Sequence, residues 1–230
     1  MTTTDFDAII FDAGGILVLP DPTVLAPLLA PYGGSTSNDD HIRAHYRAMA
    51  VKSLAGSGET FWGEYNLAYC ESIGIPAADV AYAAHVLEIT RNAFTWRWPV
   101  PGAVDALRRL EAAGVPMGVV SNASGQIEDV LGRSAVCQLG AGPLPAMRVI
   151  VDSHIVGVAK PDPAIFDFAV PAFVGIDRSR IAFIGDSVTM DIGGAEAAGL
   201  LPILLDPFDD HVEADFLRIR ALDELIPADC

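Results

Sequence analysis

The chain has 230 residues and a mass of 24.3 kDa, enough to bury a core without disulfides or a structural metal, as one large domain or a domain plus an insert. Half of it is apolar (51%) and only 19% is charged, which excludes a disordered or fibrous chain. Fourteen basic against thirty acidic residues give a net charge of −16, which repels nucleic acid and anionic membrane surfaces, so neither is expected as a partner.

The mean hydropathy of +0.37 is high, yet the charge-free stretch 134–147 is too short and too broken by proline and glycine to cross a bilayer. Residues 1–5 lack the basic start and apolar stretch of a signal peptide. The cysteines Cys70, Cys137 and Cys230 are odd in number and far apart, which fits a reducing compartment. A cytoplasmic location is therefore expected. Only two lysines occur, Lys52 and Lys160, against twelve arginines. A lysine in such a chain suggests that a compact point charge is required there.

In chain order, residues 7–12 (Asp-Ala-Ile-Ile-Phe-Asp) read as a strand buried on both faces, with Asp12 at its C-terminal end and Gly14-Gly15 breaking it. Residues 21–97 are rich in alanine and aromatics and show helical spacing, as in Ile42, His45, Tyr46 and Met49. They are expected to form an all-helical insert. From 101 onward strands and helices alternate. Helices are expected over 102–113, 124–133, 162–173 and 189–198, with a short one near 220–226. Strands are expected over 115–121, 148–152, 180–186 and 201–205. Such alternation predicts an α/β fold: a three-layer, Rossmann-like parallel sheet core over 1–20 and 98–230, with a smaller all-helical cap domain over 21–97.

Asp12, Ser121 and Asp186 each stand where an apolar strand run ends. In an open parallel sheet those ends face one crevice, where ligands bind. Taken singly, each reads as the N-cap of a following helix. Three together, with Lys160, the one lysine of the expected core, point to a site.

The motifs Ile9-Ile10-Phe11-Asp12-Ala13-Gly14-Gly15, Val119-Val120-Ser121-Asn122, Val158-Ala159-Lys160-Pro161-Asp162-Pro163 and Phe183-Ile184-Gly185-Asp186-Ser187, with Asp191 following, occur in that order. In them the chain resembles the haloacid dehalogenase-like hydrolase superfamily over nearly its whole length. The resemblance implies Mg2+-dependent hydrolysis of a small phosphorylated metabolite through an aspartyl-phosphate. By it, Asp12 is the nucleophile. Ser121, Asn122, Lys160 and Gly15 hold the phosphoryl group. Asp12, the Gly14 carbonyl, Asp186 and Asp191 form the metal site, with Asp191 standing behind the ligands or touching a metal-bound water.

One departure stands out. Phosphatases of this superfamily usually carry a second Asp two residues after the nucleophile, whose side chain is the general acid/base; here that position is Gly14. Losing a positioned acid/base costs ~10^2 to 10^4 in rate. The insert offers His41, His45, Tyr46, Glu59 and Glu64 as substitutes, without singling one out. The small residue at 14 also raises three alternatives. One is a catalytically weak ligand-binding or interaction protein. Another is chemistry like that of phosphonoacetaldehyde hydrolase, with a Schiff base on Lys52, a residue that otherwise reads as an exposed cation at a helix end. The third is a metal-independent 2-haloacid dehalogenase, against which the Asp186–Asp191 pair argues. Phe94, Trp62, Trp96 and Trp98 line a pocket in one reading and fill core in the other.

Overall fold

Short runs of β-branched, aliphatic and aromatic side chains build the centre of the molecule. The computed structural model describes residues 6–58 and 60–227, so Glu59 and Cys230 lie outside the described residues. The first strand, β1 (Ala8–Phe11), is fully buried. A short β2 (Val18–Pro20) follows, then four helices: α1 (Pro22–Leu29), α2 (Asn38–Leu54), α3 (Gly63–Ser72) and α4 (Val80–Thr90). The chain returns through β3 (Trp96–Pro99), α5 (Ala103–Ala112), β4 (Met117–Ser121) and α6 (Ile127–Arg133). Next come the short β5 (Gln138–Leu139) and β6 (Ala146–Met147), then β7 (Ile150–Asp152) and α7 (Ser153–Val156). The last elements are β8 (Ile181–Gly185), α8 (Gly193–Ala197), β9 (Leu201–Leu205) and β10 (Leu217–Ile219).

Six strands form one parallel sheet in the order β10-β9-β8-β1-β4-β7. The period-two alternation of β1 sends Ile9 and Phe11 to one face and Ala8 and Ile10 to the other. Ile9 and Phe11 pack in a cluster with Leu107, Leu110 and Leu131 from α5 and α6. Ala8 and Ile10 pack with Phe166, Phe173 and Ala195. The sheet is therefore covered on both faces, the three-layer α/β core expected from the alternation. Helix α5 shows how locally this is written: Ala103, Ala106, Leu107 and Leu110 are buried at i, i+3, i+4 and i+7.

Helices α1 to α4 build a separate apolar cluster around Leu29, Tyr69, Cys70 and Leu87. Helix α2 crosses from this cluster to the sheet. Its Tyr46 hydroxyl donates to the Gly15 carbonyl at 2.7 Å, and its Ser53 hydroxyl accepts from the Val188 amide at 3.2 Å. The segment 21–97 is not helical throughout, however. Trp96 begins β3, which pairs antiparallel with β2, so the chain enters and leaves the helical segment through one two-stranded ribbon. The β-prone Trp-Arg-Trp run is the signal for it.

Three expected helices also differ. Residues 162–173 form 3-10 turns, Pro163–Phe168 and Val170–Ala172. Pro171 has no amide for a helical hydrogen bond and biases Val170 away from the helical region. Residues 189–198 divide into a π-helical turn, Val188–Ile192, followed by α8. The closing helix is a 3-10 turn, Leu222–Leu225. Among the described residues no helix is long and apolar enough to cross a membrane.

Candidate active site

The C-terminal ends of β1, β4 and β8 bring Asp12, Ser121 and Asp186 to one crevice, and each is more than nine-tenths buried. Lys160 joins them from the loop after α7. Its ammonium lies 2.9 Å from Asp12 Oδ1 and 2.7 Å from Asp191 Oδ1. The Lys160 backbone is clamped by Asn122, whose Oδ1 accepts from the Lys160 amide at 2.8 Å and whose Nδ2 donates to the Lys160 carbonyl at 3.0 Å. The Asn122 side chain thus positions Lys160; the phosphate contact expected at residue 122 belongs to the amide that follows Ser121, not to this side chain.

Asp191 Oδ2 accepts from the amides of Asp186 and Ser187, at 3.2 and 3.0 Å. Both Asp191 oxygens thus have partners, and this carboxylate orients Lys160 and the Asp186 loop. Gly185 makes room for it, because a Cβ there would collide with the Asp191 side chain.

Gly15 is required by conformation and by space. Its φ is +75°, and a Cβ would collide with the Asp186 carboxylate and lie 2.9 Å from His45 Nε2. Its amide donates to the Val18 carbonyl at 2.9 Å. The expected phosphate-holding role of Gly15 therefore does not fit; the residue shapes the turn under Asp186.

Gly14 has a different neighbour. A Cβ there would lie 3.1 Å from Cζ3 of Trp96. The indole brought in by β3 fills the space into which the superfamily's usual second Asp would project. Trp96 in turn packs edge-on against His45, with ring centroids 5.4 Å apart.

Among the described insert candidates, His45 alone reaches the carboxylates. Its Nε2 lies 3.0 Å from Asp186 Oδ2 and its Nδ1 2.9 Å from the Tyr65 hydroxyl. His41 is turned away, bonded to the Tyr69 hydroxyl and the Ser35 carbonyl. Glu64 accepts from Ser57, and Tyr46 is spent on the Gly15 carbonyl. Lys52 is corrected from an exposed helix-end cation to a buried one, 2% exposed. Phe94 is exposed and Trp98 packs against the sheet cluster, so neither lines the crevice. Trp62 and Trp96 do. Arg91, which sequence reasoning missed, also lines it. It follows the end of α4, and nothing in its local sequence marks it out.

The resulting cavity has a volume of about 370 Å³, with the carboxylates and Lys160 on the sheet side and Lys52, Trp62 and Arg91 on the helical side. Burial pushes the Asp12 carboxyl above the usual range. The Lys160 ammonium pulls it back, while Asp191 and Asp186 add to the rise. Burial works against the Lys160 charge, but Asp12 and Asp191 outweigh it and hold the lysine protonated. Asp12, Asp186 and Asp191 each place a carboxylate oxygen within 4.8 Å of the others. Three buried carboxylates against one ammonium leave negative charge unbalanced, and the donors are all oxygen. That combination fits a hard divalent cation.

A family model described as haloacid dehalogenase-like hydrolase matches residues 6–199. Haloacid dehalogenase-like hydrolase domain-containing protein 3 of Mus musculus is 28% identical over 176 residues, 73% of this chain and 66% of that protein. Phosphoglycolate phosphatase 1 of Pseudomonas aeruginosa is 28% identical over 237 residues, 95% of this chain and 78% of that protein. The chain spans between 42% and 66% of the length of the mouse protein and three further relatives. The crystal structure of the HAD-hydrolase YfnB from Bacillus subtilis bound to magnesium aligns with a TM-score of 0.59 at 20% identity, over 96% of both chains. At that identity the likeness is one of fold.

Proposed function

Because the chain belongs to the haloacid dehalogenase-like hydrolase family, we propose that it is a Mg2+-dependent phosphatase of a small phosphorylated metabolite, with Asp12 as nucleophile. The observation that carries this reading is the Lys160 ammonium bridging Asp12 and Asp191 beside Asp186, at the C-terminal end of the sheet. The similarity to a phosphoglycolate phosphatase over 95% of the chain supports a phosphate ester as substrate.

Asp12 Oδ1 is held by Lys160 and by the Ala13 amide at 2.7 Å, which leaves Oδ2 for attack. In the first step Oδ2 bonds to phosphorus and the bond from phosphorus to the ester oxygen breaks, releasing the alkoxide, which takes its proton from solvent water. In the second, water attacks the phosphorus and the bond to Asp12 breaks, freeing inorganic phosphate and restoring the carboxylate. Lys160 neutralises the phosphoryl oxygens, and the Ser121 hydroxyl and Asn122 amide hold them by hydrogen bonds. Asp12, Asp186 and the Gly14 carbonyl are the groups that would hold Mg2+. When bound, the cation supplies further charge neutralisation at those oxygens.

Gly14 supplies no acid for the departing oxygen, so turnover should depend steeply on the acidity of the leaving group. Release of phosphate from p-nitrophenyl phosphate is expected to exceed that from alkyl phosphates by ~10^2-fold or more, and to stop on chelation of Mg2+. Turnover indifferent to chelator, or halide released from a 2-haloacid instead, would refute the reading. The Schiff-base alternative needs a neutral Lys52 amine. Its Nζ lies 3.7 Å from the Trp62 ring centroid, a contact that favours the ammonium. A purely ligand-binding role would not require Asp12 to be paired so closely with Lys160.

A further inference from the structure

The Asp186 carboxylate is gripped from the helical segment, and the phosphatase reading gives that grip no task. His45 Nε2 lies 3.0 Å from Asp186 Oδ2, a contact between side chains 1% and 4% exposed. A carboxylate only accepts, so Nε2 donates. In the neutral ring Nδ1 then accepts, and the Tyr65 hydroxyl donates to it at 2.9 Å. Tyr46, Tyr65 and Trp96 stand at steep angles to the imidazole, with ring centroids 5.1, 5.8 and 5.4 Å away. The ring is therefore held by packing as well as by both nitrogens. The turn beneath it is shaped to admit it. A Cβ on Gly15 would collide with the Asp186 carboxylate and lie 2.9 Å from His45 Nε2. The Gly15 carbonyl in turn accepts from Tyr46, the next residue of α2.

We infer that His45 is a positioning residue for the cation site: from α2 it fixes the rotation of the Asp186 carboxylate, so that the helical segment completes a metal site whose candidate ligands all lie in the sheet core. The inference rests on the phosphatase reading for the cation and adds to it a residue outside the four motifs. The need for such a residue is physical. Asp12, Asp186 and Asp191 place carboxylate oxygens within 4.8 Å of one another, and like charges that close turn apart unless they are held. Lys160 holds Asp12 and Asp191 through its charge. His45 holds Asp186 by a hydrogen bond. A neutral donor does so without adding positive charge that would compete with the cation. Partners that orient a metal-binding carboxylate in this way contribute about 10–100-fold to metal affinity.

The test titrates Mg2+ calorimetrically into the full-length protein without substrate. His45→Leu keeps bulk among the aromatic rings and removes the donor; it is expected to bind Mg2+ about 10–100-fold more weakly than the parent. His45→Gln places an amide donor where Nε2 stands, and is expected to return affinity to within about threefold of the parent. Tyr65→Phe removes the hydroxyl that sets which ring nitrogen donates, and is expected to weaken binding by about three- to tenfold. A strap that only ties the helical segment to the sheet would lower the melting temperature of His45→Leu and leave the Mg2+ affinity of the folded protein unchanged. That result overturns the inference, as does His45→Gln binding Mg2+ no more tightly than His45→Leu. If His45→Leu does not fold, Tyr65→Phe decides, and Mg2+ affinity equal to the parent's overturns the inference. Each of these results leaves the phosphatase reading intact. A parent protein that binds no Mg2+ and releases no phosphate from p-nitrophenyl phosphate overturns that reading and the inference with it.

Discussion

Asp12→Asn folds like the parent and releases phosphate slower by ~10^3-fold or more, the order of loss that follows removal of a covalent nucleophile. The expectation follows from geometry. The asparagine keeps the size of the side chain and an oxygen for Lys160 and the Ala13 amide, so neither the loop nor the cavity has reason to change. What it lacks is the anionic oxygen that bonds to phosphorus. A steady-state assay of phosphate release, paired with a thermal melt, separates the two effects. A variant that melts as the parent does and keeps more than a tenth of its rate would remove Asp12 from the chemistry.

Lys160→Met is the second large effect, and it falls on stability as well as rate. The ammonium is buried between Asp12 and Asp191, with Asp186 bonded through its own amide to the same Asp191. Removing it leaves carboxylates facing one another without a counter-charge. Breaking a buried ion pair from one side costs about 3–5 kcal/mol. For a chain of this size that lowers the melting temperature by roughly 6–20 °C. Added Mg2+ should recover part of the loss by supplying positive charge to the same oxygens, whereas the rate stays low because no side chain replaces the ammonium at the phosphoryl group. A Lys160→Met melt indistinguishable from the parent would show that the carboxylates do not share the buried field described above.

The sheet was legible because its strands obey simple patterning. Residues 7–12, 115–121 and 201–205 are apolar runs bounded by turns, and each contains an observed strand, β1, β4 or β9. Asp12, Ser121 and Asp186, at the ends of β1, β4 and β8, were enough to locate the crevice. What the sequence does not carry is which long-range partner each polar atom takes. Gly15 and Asn122 sit in the motifs, yet the backbone of one and the side chain of the other are already paired. Nor does spacing show that the Asp191 oxygens hold the Lys160 ammonium and the amides of Asp186 and Ser187.

His45 and Lys52 were harder for a physical reason. They lie on one buried stripe of α2 together with His41, at i, i+4 and i+11 from it. Periodicity reveals the stripe but not what it faces. Only the docking of α2 across the strand ends turns His45 toward Asp186, 141 residues away, and His41 toward Tyr69. Trp96 could not have been assigned from spacing alone, since its place beside Gly14 follows from the β2–β3 ribbon.

The most direct measurement is chemical trapping at position 12. The parent protein, with Mg2+ and p-nitrophenyl phosphate, is quenched during turnover and treated with borohydride, which reduces an acyl phosphate to the alcohol. The account predicts that peptide mass spectrometry finds the reduced side chain at residue 12 and at no other carboxylate, and that the signal disappears in Asp12→Asn. Steady turnover with residue 12 unreduced, or reduction at a different carboxylate, would contradict it.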